Sequence, residues 1–429
     1  MRVRHVAGAL ALMLGAVVVL AGCKGDDIQA LAKREGLVGR YANFQGLAAV
    51  STGQTVQLYD TTGTSPILID QATLSDAVVD YPCCVWNSGT GTFDSPWQTD
   101  PEFSIFGMVW HPTRPWLYVF SNSSRWDPSR IDRFEVTPNG TITHKGLAFR
   151  WTAADAGVSS LCGLDLNDCV MVEGVFSPDG SRLYAREDAD DYMVFFNVNL
   201  TTGALTPTVQ YTAMNQYDWG MVLNPTDPGI LYTGWMAWDV SAGTPALLNA
   251  LDSPRGGNGT QVRNIGGTDM LLTSDESNGA ASFLSLAAPQ APALWATSVS
   301  VSNGFHDILF QDGTSRILSF GKNAIRSWDT SLTGPGSSTI TANSTFTPSL
   351  GGGGVTFQYV MHRRAIFWPV PNGADDQTRV LSPWFARDTG NTSWYGGLST
   401  LSIGSGGAIT ETANVALGGP ARSIVSLER

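Results

Sequence analysis

The feature that most constrains the fold of this chain is a motif that recurs along most of its length. In five places an alternating strand ends in an aromatic and a polar or acidic residue and is followed by a turn with Gly. The five copies span residues 56–63, 131–140, 193–203, 236–243 and 325–334. This pattern is typical of half-buried β-strands that enter hairpins.

A second motif precedes most of these copies and consists of two strands joined by a tight turn. It occupies residues 109–120, 175–185, 222–233 and 309–320, and three of the four copies have Pro in the turn. Pro fixes φ and Asp-Gly supplies turn geometry, so these connections join antiparallel strands. The two motifs together define a unit of four antiparallel strands.

The spacing of these units predicts the architecture. The inner strands are expected near Phe106, Val172, Trp219, Val262, Phe305, Val355 and Ser423. Intervals of about 43 to 68 residues suit the blades of a β-propeller with insertions. We therefore predict an all-β, seven-bladed propeller over residues 45–429, closed by pairing of the C-terminal strand with residues 46–51, which removes free sheet edges. A β-sandwich also has many short strands, but it does not explain a repeat sustained over the chain.

Composition agrees with a β-rich protein and excludes several classes. The 429 residues include 47 Gly and 14 Trp, and only 14% are charged. A disordered chain has few aromatic residues and many charges, and a helical protein avoids abundant Gly. The formal net charge of −12 excludes nucleic acid as a partner, because binding phosphates requires a basic face.

The N-terminus carries an export signal. Arg2 and Arg4 precede an apolar stretch at 6–20, which is shorter than a comfortable membrane span. The four residues that end at Cys23, Leu-Ala-Gly-Cys, resemble the lipobox of bacterial lipoproteins.

That resemblance implies cleavage before Cys23 and attachment of diacylglycerol to its thiol, which would anchor the protein to a membrane. Residues 1–22 are then the signal peptide, and 23–44 are the lipidated Cys and a short tether. Lys24 follows the Cys, which favours the outer membrane, on its periplasmic or surface side. Removal of the signal peptide leaves 23 cationic against 37 acidic side chains, a formal charge of −14.

Two stretches of the repeat resemble known propeller families. The sequences at 111–119 (H-P-T-R-P-W-L-Y-V) and 131–136 (I-D-R-F-E-V) are similar to blades of lactonase-like propellers of the YVTN type. The strands that end in Trp238-Asp239 and Trp328-Asp329 resemble WD-repeat blades. Both resemblances imply a fold and say little about chemistry.

The cysteines and several aromatic residues fall in long loops that we expect on the binding face of the propeller. Four cysteines remain after Cys23, and an even number in an exported chain predicts disulfides of undetermined connectivity. They are Cys83, Cys84, Cys162 and Cys169. In one connectivity, a local bridge joins Cys162 to Cys169 and a vicinal bridge joins Cys83 to Cys84. In the alternative, each cysteine of one pair is bridged to a cysteine of the other pair. The aromatic candidates for this face are Trp86, Trp97, Trp126, Trp151 and Tyr217.

Acidic residues cluster in the loops expected between the second and third strands of blades. The densest group contains Asp188, Asp190 and Asp191 after Glu187, and further acids occur at 275–276 and 375–376. Calcium is the cation that such carboxylates would suit, although the spacing is not that of an EF-hand. Solvated acidic turns are the alternative. No other cofactor is predicted.

One histidine is placed for chemistry. His306, followed by Asp307, lies at the start of a predicted inner strand and is expected near the channel mouth, as a base, as a ligand or as a hydrogen-bonded structural residue. His111 and His362 are expected in turns on the opposite face, and His144 near an outer strand.

These features support two hypotheses about function. In the first, a lipid-anchored propeller uses its loop face as a non-catalytic binding or scaffold module for an envelope or surface protein or ligand. In the second, an exported lactonase-like hydrolase or isomerase uses His306 and channel carboxylates. An enzyme is expected to gather titratable side chains from several inner strands at one channel depth.

The lipobox resemblance generates a first testable prediction. In a bacterial host, the parent chain should incorporate labelled palmitate, and Cys23→Ala should abolish the label because the acceptor thiol is lost. Equal labelling of the two proteins would refute the anchor.

Overall fold

The computed structural model describes a chain built from β-strands. The described residues are 44–74, 85–87, 92–94, 104–122, 130–150, 171–187, 193–208, 220–233, 236–242, 245–250, 259–275, 280–297, 306–312, 314–348, 357–370, 375–389 and 393–427. Within these ranges no helix is long and apolar enough to cross a bilayer.

The strands form seven antiparallel blades, and each blade runs from an innermost strand at the ring centre to an outermost strand. Blade 1 contains the last strand of the chain, β31 (Ile424–Ser426), and then β1 (Leu47–Thr52), β2 (Thr55–Asp60) and β3 (Ile67–Thr73). A separate hairpin follows, β4 (Val85–Asn87) and β5 (Thr92–Asp94). Blade 2 contains β6 (Ser104–Trp110), β7 (Trp116–Asn122), β8 (Arg130–Val136) and β9 (Ile142–Arg150).

Blades 3 to 5 repeat this order. Blade 3 contains β10 (Met171–Phe176), β11 (Arg182–Glu187), β12 (Met193–Val198) and β13 (Leu205–Thr208). Blade 4 contains β14 (Met221–Leu223), β15 (Ile230–Thr233), β16 (Met236–Asp239) and β17 (Ala246–Ala250). Blade 5 contains β18 (Thr260–Ile265), β19 (Thr268–Asp275), β20 (Ala280–Ser285) and β21 (Ala293–Thr297).

Blades 6 and 7 complete the ring. Blade 6 contains β22 (Asp307–Gln311), β23 (Arg316–Phe320), β24 (Ile325–Ser331) and β25 (Thr339–Phe346). Blade 7 contains β26 (Phe357–His362) and β27 (Ile366–Trp368) in its inner position, then β28 (Asp376–Asp388), β29 (Trp394–Ile403) and β30 (Ile409–Leu417). The seven-bladed propeller predicted from the repeat is confirmed.

Pairing of β1 with β31 closes the ring as the sequence predicted. The strands run antiparallel, with Ala48 opposite Ser426 and Val50 opposite Ile424. The Ser51 N–H donates to the Ser423 carbonyl at 3.0 Å, and the Ser423 N–H donates to Ser51 Oγ at 3.0 Å. The innermost strand of blade 1 therefore comes from the opposite end of the chain, and it covers the edge of β1 that would otherwise be unpaired.

The hydrophobic core lies between successive blades, because each blade packs on its two neighbours. Between blades 2 and 3 it includes the buried rings of Tyr118, Phe120 and Phe196. Trp238 and Trp328 occupy third strands, are fully buried, and donate from Nε1 to hydroxyls of the neighbouring second strands. Each such apolar side chain contributes about 1.5–3 kcal/mol through burial.

The inner strand of blade 7 departs from the sequence-based expectation. His362 was expected in a turn on the face opposite the channel mouth, and this was wrong: it lies within the inner strand, opposite Trp384 of β28. The chain breaks from the strand for three residues after His362 and then resumes as β27 on the same partner. The acids at 375–376 follow this inner strand and begin β28, so they do not lie between second and third strands as expected.

Several sequence-based predictions fall outside the described residues. These concern the signal peptide, Cys23, the tether, Cys83, Cys84, Cys162, Cys169, Trp97, Trp126, Trp151, Tyr217, Asp188, Asp190 and Asp191. Trp86 lies in β4, where only the strand itself is described. All of these remain predictions.

Close approach of blades 2 and 3 generates a second testable prediction. A Cβ on Gly107 would clash with the Val172 carbonyl oxygen, so the two inner strands must separate if a side chain is added. Gly107→Ala should lower the free energy of unfolding by about 1–3 kcal/mol, measured by thermal or urea unfolding.

Gly418→Ala is the matched control, because a Cβ there meets nothing within 4 Å. It should change stability by less than about 0.5 kcal/mol. Equal stability of the two variants would contradict the packing of these strands.

Candidate functional site in the central channel

An ion pair crosses the centre of the ring. Glu173 in β10 of blade 3 pairs with Arg364, which lies between β26 and β27 of blade 7. The neighbours of blade 3 are blades 2 and 4, and those of blade 7 are blades 6 and 1. Because blades 3 and 7 do not touch side by side, this contact must span the channel that the inner strands surround.

The interruption of the inner strand positions Arg364. Residues 363–365 leave the strand between His362 and Ile366. Asp307, the first residue of β22 in blade 6, holds this segment: its Oδ2 accepts a hydrogen bond from the Ala365 N–H at 2.7 Å. Its Oδ1 accepts from the Ile308 N–H at 2.9 Å. Asp307 therefore fixes the backbone beside Arg364 while the Arg364 side chain extends to Glu173.

The pair is central in the molecule and still reaches solvent. The Arg364 side chain is 31% exposed and that of Glu173 is 12% exposed. Glu173 lies in inner strand β10, and Arg364 lies in the break between β26 and β27. Burial raises the pKa of Glu173 above its usual range, and the charges of Arg364 and Arg186 act against that shift. A carboxylate with a raised pKa is a stronger base than an ordinary one, so Glu173 is suited to accept a proton.

Asp307 is a buried acid with a raised pKa near the channel pair. It is 3% exposed, and burial raises its pKa to about 7, against the opposing effects of Arg364 and of two backbone N–H groups. Asp307, a site candidate predicted from the sequence, lies beside the segment that carries Arg364 and faces the backbone of blade 7.

His306 is buried, at 2% exposure, and its backbone N–H donates to the Phe320 carbonyl at 2.7 Å. His362 is fully buried, and its Nδ1 lies 2.8 Å from Ser382 Oγ. Burial, and then the charge of His306, lowers the pKa of His362 to about 3. His306 is thus close enough to His362 to affect its titration, in an interior layer of the ring.

Two other described histidines, His111 and His144, make contacts away from the channel pair. His111 lies in the turn after β6, as expected, and its Nε2–H donates to the Gly180 carbonyl at 3.1 Å. His144 lies on outer strand β9 and contacts Asp132 at 2.8 Å, beside Arg130. In the part of the chain that the structure describes, no three His, Cys, Asp or Glu side chains form a group that could hold a metal ion.

Sequence reasoning missed both members of the channel pair. A signal for Glu173 was present, since it interrupts an apolar inner strand (M-V-E-G-V-F), whereas Arg364 follows His362 and Arg363, where a turn was expected. A charge inside a predicted inner strand has to face either a partner or the channel.

Comparison with known proteins supports the fold. No protein-family model matches the chain, and no curated protein matches it in sequence. A putative 6-phosphogluconolactonase from Bacteroides fragilis has a similar structure, with a TM-score of 0.55 at 10% identity, over 90% of this chain and 98% of that one.

Two further structures are similar over most of their length. The periplasmic gluconolactonase of Pseudomonas aeruginosa has a TM-score of 0.53 at 12% identity, over 87% of this chain and 97% of that one. A hypothetical selenium-binding protein from Sulfolobus tokodaii has a TM-score of 0.56 at 10% identity, over 90% and 95%. Identities of this size show a shared propeller fold, which includes lactonase-like members.

The buried acid generates a third testable prediction. The pKa of Asp307 in the folded state, about 7, lies above its ordinary value of 3.8, so the folded protein binds the proton more tightly than the unfolded chain. The resulting stabilisation is complete below about pH 4 and is lost as pH rises through 7.

Asp307→Asn removes this titration. The stability difference between the parent and the variant should therefore favour the parent most at pH 4 and shrink by pH 8, measured as unfolding midpoints across that range. A difference that does not change with pH would contradict the raised pKa.

Proposed function

We propose that the protein is a hydrolase whose catalytic site is the central channel and whose substrate is a small cyclic ester, such as a sugar lactone. The observation that carries this proposal is the ion pair of Glu173 and Arg364, which is central, partly accessible to solvent and built from non-adjacent blades. The pair brings together titratable groups from two blades inside the channel, which supports an enzyme more than a binding module.

The two side chains supply complementary chemistry. Glu173 accepts a proton from a water molecule while the water oxygen attacks the carbonyl carbon of the ester. Arg364 donates hydrogen bonds to the carbonyl oxygen as negative charge develops there. A guanidinium has five N–H donors, so pairing with Glu173 does not use them all.

Ring opening completes the reaction. As the tetrahedral intermediate collapses, the bond between the carbonyl carbon and the ring oxygen breaks. The ring oxygen takes up the proton held by Glu173, which returns the carboxylate to its starting state. Water and ester are the only reactants, and the product is an open-chain hydroxy acid.

The choice of a lactone is supported by two of the similar structures, a gluconolactonase and a putative 6-phosphogluconolactonase. The first is periplasmic, which agrees with the export signal predicted for this sequence. We further propose that lipid on Cys23 anchors the enzyme, with the outer membrane favoured by Lys24. We also propose that the loops with cysteine pairs and aromatic residues, most of which lie outside the described residues, form the binding face at the channel entrance.

The competing hypothesis is the non-catalytic module that binds an envelope or surface partner through its loop face. It requires no chemistry from the channel, so Glu173 and Arg364 would then serve only to join blades 3 and 7. The two hypotheses differ in whether substitutions at this pair change turnover without preventing folding.

Kinetics of the channel variants provide the fourth prediction. With D-glucono-1,5-lactone as substrate and proton release as the measurement, Glu173→Gln should lower kcat by about 100-fold or more, because the base is lost. Arg364→Lys keeps the charge but loses the planar donors and should lower kcat by about 100-fold.

Glu135→Gln is the matched control, since Glu135 forms an exposed ion pair with Lys145 on blade 2. It should leave kcat unchanged. If the parent protein opens neither five- nor six-membered lactones faster than Glu173→Gln does, the hydrolase proposal fails and the loop-face hypothesis is favoured.

A further inference from the structure

We propose that a group of arginine and aromatic side chains at the channel rim binds the anionic group of an organic ligand. We call this group the rim cluster, and its members are Phe106, Arg363, Phe385, Arg387, Trp394 and Arg422. The inference deepens the function proposed above, on which its identification of the ligand as substrate rests, by naming the substrate class as organic anions.

Arg422 is the centre of the rim cluster. It precedes the closing strand β31, and its guanidinium lies 4.3 Å from the ring centre of Phe106, 5.1 Å from that of Phe385 and 5.6 Å from that of Trp394. The three rings come from β6 of blade 2 and from β28 and β29 of blade 7. One arginine thus stands among aromatic side chains from both sides of the junction that closes the ring.

Two more arginines share these rings. The Arg387 guanidinium lies 5.1 Å from the ring centre of Trp394, and that of Arg363 lies 5.8 Å from the ring centre of Phe385. Arg363 directly precedes Arg364, the arginine of the channel pair. The rim cluster is therefore continuous with the candidate catalytic site.

The rim cluster lies on one face of the propeller. This face carries the connections that lead into the inner strands and the turns that join second strands to third strands. Arg387 and Trp394 flank the turn between β28 and β29, and Arg422 ends the connection into β31. Blade 7 has long second and third strands, since β28 has 13 residues and β29 has 10, against 5 in β23 and 7 in β24 of blade 6. The turn of blade 6 braces blade 7, where the Asn323 N–H donates to the Val360 carbonyl at 2.7 Å.

The charge of the rim cluster runs against that of the chain. The whole sequence carries −12, yet Arg363, Arg364, Arg387 and Arg422 gather here. Nearby carboxylates in described elements include Glu173, which pairs with Arg364, and Asp307, which accepts a hydrogen bond from the Ala365 N–H. They also include Asp388, which accepts a hydrogen bond from the Ser393 N–H at 3.2 Å. A local excess of guanidinium groups attracts anions and raises their concentration at the site.

The arrangement suits carboxylate or phosphate groups on an organic body. A guanidinium stacked on a ring is held in place, and its planar N–H donors match both kinds of oxyanion. The half-buried rings of Trp394 and Tyr359 lie beside each other on blade 7. Lys322 Nζ lies 5.0 Å from the ring centre of Tyr359. The accessible faces of the two rings offer contact to the non-charged part of a ligand.

Calorimetric titration of ligands with one carbon skeleton provides the fifth prediction. The probes are D-gluconate for the carboxylate, glucose 6-phosphate for the phosphate, glucose as the neutral compound, and inorganic phosphate as the bare anion. The titrations use Glu173→Gln, so that binding is measured without turnover. At least one of the two organic anions should bind at least 10-fold more tightly than glucose and than inorganic phosphate, and the affinity should fall with added NaCl.

Arg422→Gln and Arg387→Gln, each in the Glu173→Gln background, should weaken binding of the organic anion by about 10-fold or more. Arg422→Lys keeps the charge and should retain part of the affinity. Arg114→Gln is the control, because Arg114 also lies over a ring, that of Trp116, but in the turn after β6 on the opposite face. Thermal unfolding checks that each variant is folded.

Equal affinity for glucose and the anions, or an equal loss in Arg114→Gln, would overturn the inference. So would tight binding of inorganic phosphate that matches the organic anions. Anion binding without lactone hydrolysis by the parent would support the rim cluster and contradict the hydrolase proposal. Lactone hydrolysis by the parent without any preference for anions would support the hydrolase proposal and contradict the rim cluster.

Discussion

The pairing of β31 with β1 is the interaction on which the rest of the structure depends. It joins residues 423–426 to residues 48–51 and turns seven separate sheets into a closed ring. Without it, blade 1 would lack its inner strand, and the segment that follows blade 7 would not be paired with blade 1. The hydrophobic layers between blades are continuous around the ring only because this pairing is made.

Closure also creates the candidate site. Glu173 and Arg364 belong to blades that never touch side by side, so only a complete ring brings them together. Arg422 stands at the closing junction itself, among rings from blades 2 and 7. The proposed chemistry and the proposed anion recognition therefore both depend on closure of the ring.

The repeat was sufficient to predict the fold, because strand alternation and turn residues are local properties. Seven inner strands, the four-stranded blades and the closing pair were all predicted from it. The site was not: His306 and Asp307 were chosen for their position in one strand, whereas Glu173 and Arg364 acquire meaning only across the channel. His362 was misplaced because a three-residue break within a strand resembles a turn in sequence, and Asp307 of another blade stabilises that break.

The long sequence separation of the closing pair has a consequence for the folding kinetics of the chain. Ser51 and Ser423 are 372 residues apart, so the hydrogen bonds between them form late and at a large entropic cost of loop closure. Until then, the inner edge of β1 exposes unpaired backbone groups, next to side chains that are all buried in the folded protein. Such an edge can pair with a second copy, so the interval before closure is when this protein is most prone to aggregate.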